Sequence, residues 1–124
     1  MKNISLKILA FLFLTTFAES YSQQKLKIVE FEIFAEENNP MPGANVSVKN
    51  SYPIVETQTD FNGKAKLNLE DLNVEIRLSI LGPNITFKLF KNVDFVKVDI
   101  KKKNVEYYSE NRILKKRKLK FSGY

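Results

Sequence analysis

Two short runs between residues 40 and 68 alternate apolar and polar side chains, and residues typical of turns stand before and between them. In Ala44–Lys49 every second residue is apolar, and the run from Ala65 repeats this pattern. Successive side chains of a β-strand point to opposite faces, so alternation is typical of a strand with one buried face. This stretch therefore predicts a turn, a strand, a loop, a second strand, a tight turn and a third strand.

The turn residues support this interpretation. Pro42 and Gly43 interrupt the chain before the first of these strands, since Pro fixes φ and Gly adopts torsions that other residues avoid. Asp60 begins the later tight turn, where its carboxylate is expected to accept local backbone N–H groups. Asn62 and Gly63 complete that turn, because both tolerate left-handed torsions.

At these residues the chain resembles a known family. The segment PMPGANVSVKN, followed after a gap by TQTDFNGKAKLNL, is similar to the carboxypeptidase-regulatory-like domain, a small transthyretin-like β-sandwich. The resemblance covers roughly residues 26–101. The positions that match the family pattern are Pro40, Pro42, Gly43, Ala44, Asn45, Val46, Thr59, Asp60 and Gly63.

The resemblance implies a module rather than a catalyst. Such domains often precede outer-membrane receptors of the TonB-dependent kind or stand beside peptidase domains, and they are not the catalytic part. The resemblance brings no catalytic residues to this chain. It makes Pro42, Gly43, Asp60 and Gly63 a structural motif, and it implies an interaction role.

The alternation continues along residues 25–103 and predicts about seven short strands with no helical period. Many short strands with turn signals between them favour an all-β sandwich. The resemblance adds the Greek-key, transthyretin-like type. The order of the strands cannot be derived from the pattern.

Residues 1–22 have the pattern of a secretory signal peptide. Lys2 and Lys7 precede an apolar core at residues 8–18, and small residues follow up to Ser22. This core is shorter than the ~20 apolar residues of a spanning helix, although an uncleaved anchor stays an alternative. The sequence therefore predicts export to the periplasm, the outer membrane or the cell exterior of a bacterium.

Composition removes several kinds of chemistry. The chain has no His and no Cys, which excludes imidazole bases, thiol nucleophiles, disulfides and zinc sites built from these ligands. An enzyme would therefore depend on carboxylates. The carboxylates at turns and strand edges form no paired motif; they are Asp60, Glu70, Asp71, Asp94 and Asp99. A calcium site at Asp60 and Asn62 would need more oxygen ligands. We therefore expect no enzymatic activity, metal or cofactor.

The C-terminal residues 104–124 are predicted to form a basic tail, either disordered or packed back as an added strand. Residues 101–124 hold nine cations and two acids, or +7, whereas residues 25–100 hold nine cations and eleven acids, or −2. The candidate residues for binding an anionic surface are Arg112, Lys115, Lys116, Arg117, Lys118 and Lys120.

Three interpretations of this basic tail stay open. It is a solvated tail that favours solubility, a contact with anionic lipid or polysaccharide, or a nucleic-acid contact, which export disfavours. Two functions follow. The first is an exported non-catalytic module that binds an envelope protein or glycan, through an exposed strand edge for example. The second is a surface-docking protein whose basic tail binds anionic lipid or polysaccharide.

Overall fold

The computed structural model describes residues 25–80, 82 and 84–122, which form eleven β-strands and no helix. The predicted signal peptide at residues 1–22 lies outside the described residues. In chain order the strands are β1 (Lys27–Glu36), β2 (Asn39–Pro40), β3 (Asn45–Val48), β4 (Glu56–Gln58), β5 (Lys64–Leu69), β6 (Glu75–Ser79), β7 (Asn84–Lys88), β8 (Phe95–Asp99), β9 (Asn104–Ser109), β10 (Arg112–Lys118) and β11 (Lys120–Ser122).

The first sheet is built around β1. Its strand order is β10-β9-β8-β1-β2, and β5 also pairs with β1. Because β1 is ten residues long, it pairs on one side with β5 along Lys27–Glu32 and then with β2 at Phe34 and Glu36. On its other side β1 runs parallel to β8. The remaining pairs in this sheet are antiparallel.

The second sheet has the order β11-β7-β6-β3-β4, and all of its pairs are antiparallel. The core lies between the two sheets and takes alternate residues from each. In β5 the three apolar residues are buried and the three polar residues are exposed. Phe31 of the first sheet and Phe87 of the second have ring centroids 6.3 Å apart, and Tyr107 lies 6.5 Å from Phe87. The expected all-β sandwich is confirmed.

The described residues contain more strands than the seven or so expected from the pattern. The additional ones are β2, which has two residues, and β9, β10 and β11. From the sequence alone, disorder and an added strand are the two alternatives for residues 104–124. In the structure, residues 104–122 contain these last three strands. β9 buries Val105 and Tyr107. All seven residues of β10 are exposed, so β10 has no apolar alternation that a sequence pattern would detect.

Within its described residues the chain passes between the two sheets five times, and two of these crossings, one at each side of the sandwich, carry the candidate sites. On one side the turn at residues 59–63 connects β4 of the second sheet to β5 of the first. On the other side β10 leaves the first sheet and the chain enters the second sheet as β11 after Leu119. The side chain of Leu119 is buried, and its N–H donates to the Lys103 carbonyl at 2.8 Å.

Candidate functional site

The first candidate cluster is the pair of turns that carries the family-like motif. Pro42 and Gly43 lie exposed in the turn before β3, and Asp60 and Gly63 lie in the turn between β4 and β5. The buried Thr59 joins the two turns. Its hydroxyl accepts from the Ala44 N–H at 2.9 Å and donates to the Met41 carbonyl at 2.7 Å. The Gly43 N–H donates to the Thr59 carbonyl at 3.0 Å.

Asp60 shapes the second turn from within. One oxygen, Oδ1, accepts the N–H groups of Asn62 and Lys64, both at 2.9 Å. The Gly63 N–H donates to the Asp60 carbonyl at 2.9 Å, and Gly63 has a φ of 73°. A Cβ at Gly63 would lie 2.5 Å from the Ile33 carbonyl oxygen, so this position requires glycine for space as well as torsion. Asp60 and Gly63 therefore shape the turn between β4 and β5.

The other aspartates have comparable roles. Asp71 Oδ1 accepts the Asn73 N–H at 2.9 Å, and Asp99 Oδ1 accepts the Lys102 N–H at 3.0 Å. Asp94 Oδ2 accepts the Glu110 N–H at 2.8 Å. Each Asp of the sequence therefore satisfies a backbone donor at a turn. The described residues contain no group of three or more acidic side chains that could hold a metal ion.

The second candidate is the surface formed by β10 and β11, which we call the cationic edge. It consists of the six predicted cations, all exposed: Arg112, Lys115, Lys116, Arg117, Lys118 and Lys120. β10 is the last strand of the first sheet and β11 the last of the second, so the six side chains follow one side of the sandwich. The structure thus brings together residues that the sequence shows only as a basic run.

The register with β9 determines the side to which each cation of β10 points. Lys115 lies opposite Tyr107 and Arg117 lies opposite Val105, so both side chains leave the strand on the core side of the sheet. Lys116 lies opposite Glu106, and its side chain leaves on the outer side. Lys118 and Asn104 form the next outward pair. The cations of β10 therefore form two rows, one on the core face and one on the outer face of the strand.

The cations of the edge make no ion pairs with other described residues, unlike four lysines on other surfaces. Among the described residues, four lysines elsewhere lie within 4.0 Å of a carboxylate: Lys49, Lys66, Lys101 and Lys102. No cation of the edge has such a partner in the described part of the chain. Exposed ion pairs contribute little to stability, but unpaired cations in a row sum to a positive field at the surface.

Aromatic groups contact the cations on the core side. Lys115 Nζ lies 5.7 Å from the centre of the Phe90 ring, which is the range of a cation–π interaction. Arg117 borders a cavity of about 160 Å³ together with Phe87 and Tyr107. Burial raises the pKa of Tyr107 to about 12, while the positive charge of Arg117 acts in the opposite direction. The inner row of the edge therefore lies beside aromatic side chains.

The outer face of the first sheet carries a further feature that the sequence does not reveal. A row of alternating charge crosses five strands, because Lys116 pairs with Glu106, Glu106 with Lys97, Lys97 with Glu32, and Glu32 with Lys64. Opposite charges on neighbouring strands stabilise a sheet. The five residues lie on five different strands, and only the strand register brings them into line.

No protein-family model, curated protein or solved structure matches this chain. The resemblance to the carboxypeptidase-regulatory-like domain therefore stays a prediction. None of the described residues belongs to a helix long and apolar enough to cross a membrane.

Proposed function

We propose that the protein is an exported, non-catalytic binding module of the bacterial cell envelope and that it binds an anionic protein or glycan through the cationic edge. Its sandwich would be of the Greek-key, transthyretin-like type that the family resemblance implies. The pattern of residues 1–22 supports export, and the turn-capping role of every Asp supports a non-catalytic module.

One observation carries the proposal. Six exposed cations follow β10 and β11 with no carboxylate within 4.0 Å among the described residues. A disordered tail would present the same charges in many arrangements. Binding would have to fix one of these arrangements, at a cost in conformational entropy. A strand fixed at both sheets presents them already in rows, so a partner would not have to order the segment.

The test measures the affinity of the purified protein for poly-L-glutamate as a function of salt concentration. We expect an affinity that falls steeply as salt increases, because screening weakens contacts between exposed charges. Substitution of four edge lysines by Gln should weaken binding at least about tenfold at low salt. These are Lys115, Lys116, Lys118 and Lys120.

A matched variant removes the same number of exposed cations from other surfaces: Lys25, Lys27, Lys64 and Lys91. It should bind within about twofold of the unsubstituted protein once long-range charge is screened at physiological salt. Equal losses in the two variants would contradict a localised site. Substitutions are preferable to deletion of the residues after 103, because deletion would remove Val105 and Tyr107 from the core, where they are 0% and 1% exposed.

A second candidate function is docking of the same edge on anionic lipid. Ile113 and Leu114 are 55% and 45% exposed beside the cations, as in proteins that place apolar side chains among lipid head groups. Sedimentation with phosphatidylglycerol vesicles tests this candidate. Binding that needs vesicles, and that Ile113→Ser weakens, would support lipid docking; failure to sediment with vesicles would exclude it.

A further inference from the structure

The outer border of β10 is an open sheet edge. β10 ends the first sheet, and in the described part of the chain no strand pairs with its outer side. Strand edges with unpaired N–H and C=O groups bind another strand readily, and natural proteins often place lysines there to prevent unwanted pairing. The question is therefore which strand such an edge would accept.

The backbone of β10 offers its free groups at defined residues. The Leu119 N–H donates to the Lys103 carbonyl, and Leu119 and Lys103 continue the register in which Lys118 lies opposite Asn104. Hydrogen-bonded pairs alternate along an antiparallel ladder. The backbone groups of Arg117 therefore point to β9, while those of Lys116 and Lys118 point outward with no partner among the described residues.

The side chains then select the charge of an incoming strand. Cations in one row of β10 repeat every second residue, which is about 7 Å along a strand. An extended polypeptide has the same two-residue repeat, so carboxylates at every second position would meet Lys116 and Lys118 in register. The free backbone groups and the matching spacing together favour a peptide as the partner. A bilayer and a polysaccharide are less suitable, because neither has backbone amides arranged as a strand.

A second copy of this chain does not suit the edge. Two β10 strands side by side would juxtapose like charges, which destabilises cross-strand pairs. The edge strand β4 has only three residues and one acid, Glu56. The occupant that the charges favour is an acidic segment of a different protein.

We propose that β10 binds an extended acidic segment of a partner protein by strand addition, with backbone hydrogen bonds at Lys116 and Lys118 and carboxylates facing the outer row of cations. This inference rests on the proposed function, in which the cationic edge is the binding surface. To the proposed function, this inference adds the class of the partner, an extended acidic polypeptide, and its mode of binding, strand addition.

The experiment uses a capped peptide of about eight residues, a usual strand length, in which Glu alternates with Val and Thr. A second peptide has the same sequence but carries N-methyl groups on the alternate amides that would face β10, so that it keeps the charge and loses the hydrogen bonds. We expect the methylated peptide to bind at least about tenfold more weakly, since several main-chain hydrogen bonds are lost.

A pair of protein variants tests the same point from the other side. Lys116→Pro and Lys116→Gln remove the same charge, but only proline removes the outward N–H, and proline is tolerated where a strand N–H faces solvent. We expect Lys116→Pro to bind the unmethylated peptide about tenfold more weakly than Lys116→Gln. Thermal unfolding of both variants verifies that the sandwich is intact. The methylated peptide tests the backbone hydrogen bonds with the unsubstituted protein, so that test does not depend on either variant.

The outcomes separate this inference from the proposed function. Equal affinity of the two peptides, with Lys116→Pro equal to Lys116→Gln, would overturn strand addition and leave the cationic edge as a purely electrostatic site. Binding to anionic vesicles without binding to either peptide would overturn strand addition in favour of lipid. No binding to peptide, poly-L-glutamate or vesicles would overturn both proposals.

Discussion

Two of the five places where the described chain crosses between the sheets are built in opposite ways. At residues 59–63 the crossing is a tight turn in which Thr59, Asp60 and Gly63 are tied to neighbouring backbone by hydrogen bonds. At Leu119 the crossing is an extended strand with one buried side chain among exposed cations. The first crossing uses its special residues for stability. The second leaves most of its residues free to contact other molecules, so substitutions at the two crossings should affect different properties.

The largest expected effect on stability is at Gly63. Gly63→Ala should lower the free energy of unfolding by about 3 kcal/mol, because the new Cβ would meet the Ile33 carbonyl and a positive φ disfavours alanine. Gly43 is the matched control, with a φ of 73° and nothing within 4 Å of an added Cβ. Gly43→Ala should cost only about 1 kcal/mol, the torsional part. Urea unfolding measures both, and equal losses would contradict the close approach at Gly63.

Thr59 should give the next largest effect. Thr59→Val keeps the shape of the side chain but leaves the Ala44 N–H and the Met41 carbonyl without their shared partner. We expect a loss of about 2 kcal/mol in the free energy of unfolding. Thr57→Val, in β4 and only partly buried, serves as the control and should change stability by less than about 0.5 kcal/mol. A neutral Thr59→Val would mean that the two turns are held together in another way.

Alkaline pH should lower the free energy of unfolding through Tyr107, which lies in β9 beside the cationic edge. Its pKa is about 12 in the folded protein and 10.0 in the unfolded chain, because burial disfavours the phenolate. The stabilisation is therefore complete below pH 10 and is lost as the pH rises from 10 to 12. We expect a loss of about 1–2 kcal/mol, since the cavity beside Arg117 moderates the burial.

Tyr107→Phe is the control for this pH dependence, because it keeps the ring and removes the ionising group. Its stability should decline less between pH 10 and pH 12 than that of the unsubstituted protein. The remaining decline should come partly from Tyr108, whose pKa is raised by burial and by the neighbouring Glu106. Identical pH profiles for the two proteins would contradict the burial of the Tyr107 hydroxyl.

The smallest effect on stability should come from the cationic edge. Substitution of Lys115, Lys116 and Lys118 by Gln should change the free energy of unfolding by no more than about 0.5 kcal/mol, because exposed cations without ion pairs contribute little to stability. Sedimentation velocity should show whether the neutral edge now permits self-association, since lysines also protect strand edges. A large loss of stability would contradict the separation between the two crossings.

The sequence predicts one crossing well and the other poorly, for a physical reason. The motif around Asp60 and Gly63 is local, because the turn is determined by torsions and hydrogen bonds within a few residues. The buried faces of β1, β3 and β5 to β8 follow from alternation in the same way. β10 has seven exposed residues and no alternation, so its strand pairing depends on β9 rather than on its own residues.

Long-range pairing limits the prediction of the site as well. The parallel pairing of β1 with β8 joins residues that lie more than sixty positions apart, and no local pattern encodes it. The charge row from Lys116 to Lys64 is likewise a consequence of register. The sequence does identify the six cations, yet their division into two rows along an open edge depends on the fold.

The most direct test of the central claim is amide hydrogen exchange of the protein with and without the alternating acidic peptide. Binding at the cationic edge by strand addition predicts added protection at the N–H groups of Lys116 and Lys118, with no change at the turns around Gly43 and Gly63. Protection at those turns, or at the outer face of the second sheet with β10 unchanged, would contradict the account and place the binding surface elsewhere on the sandwich.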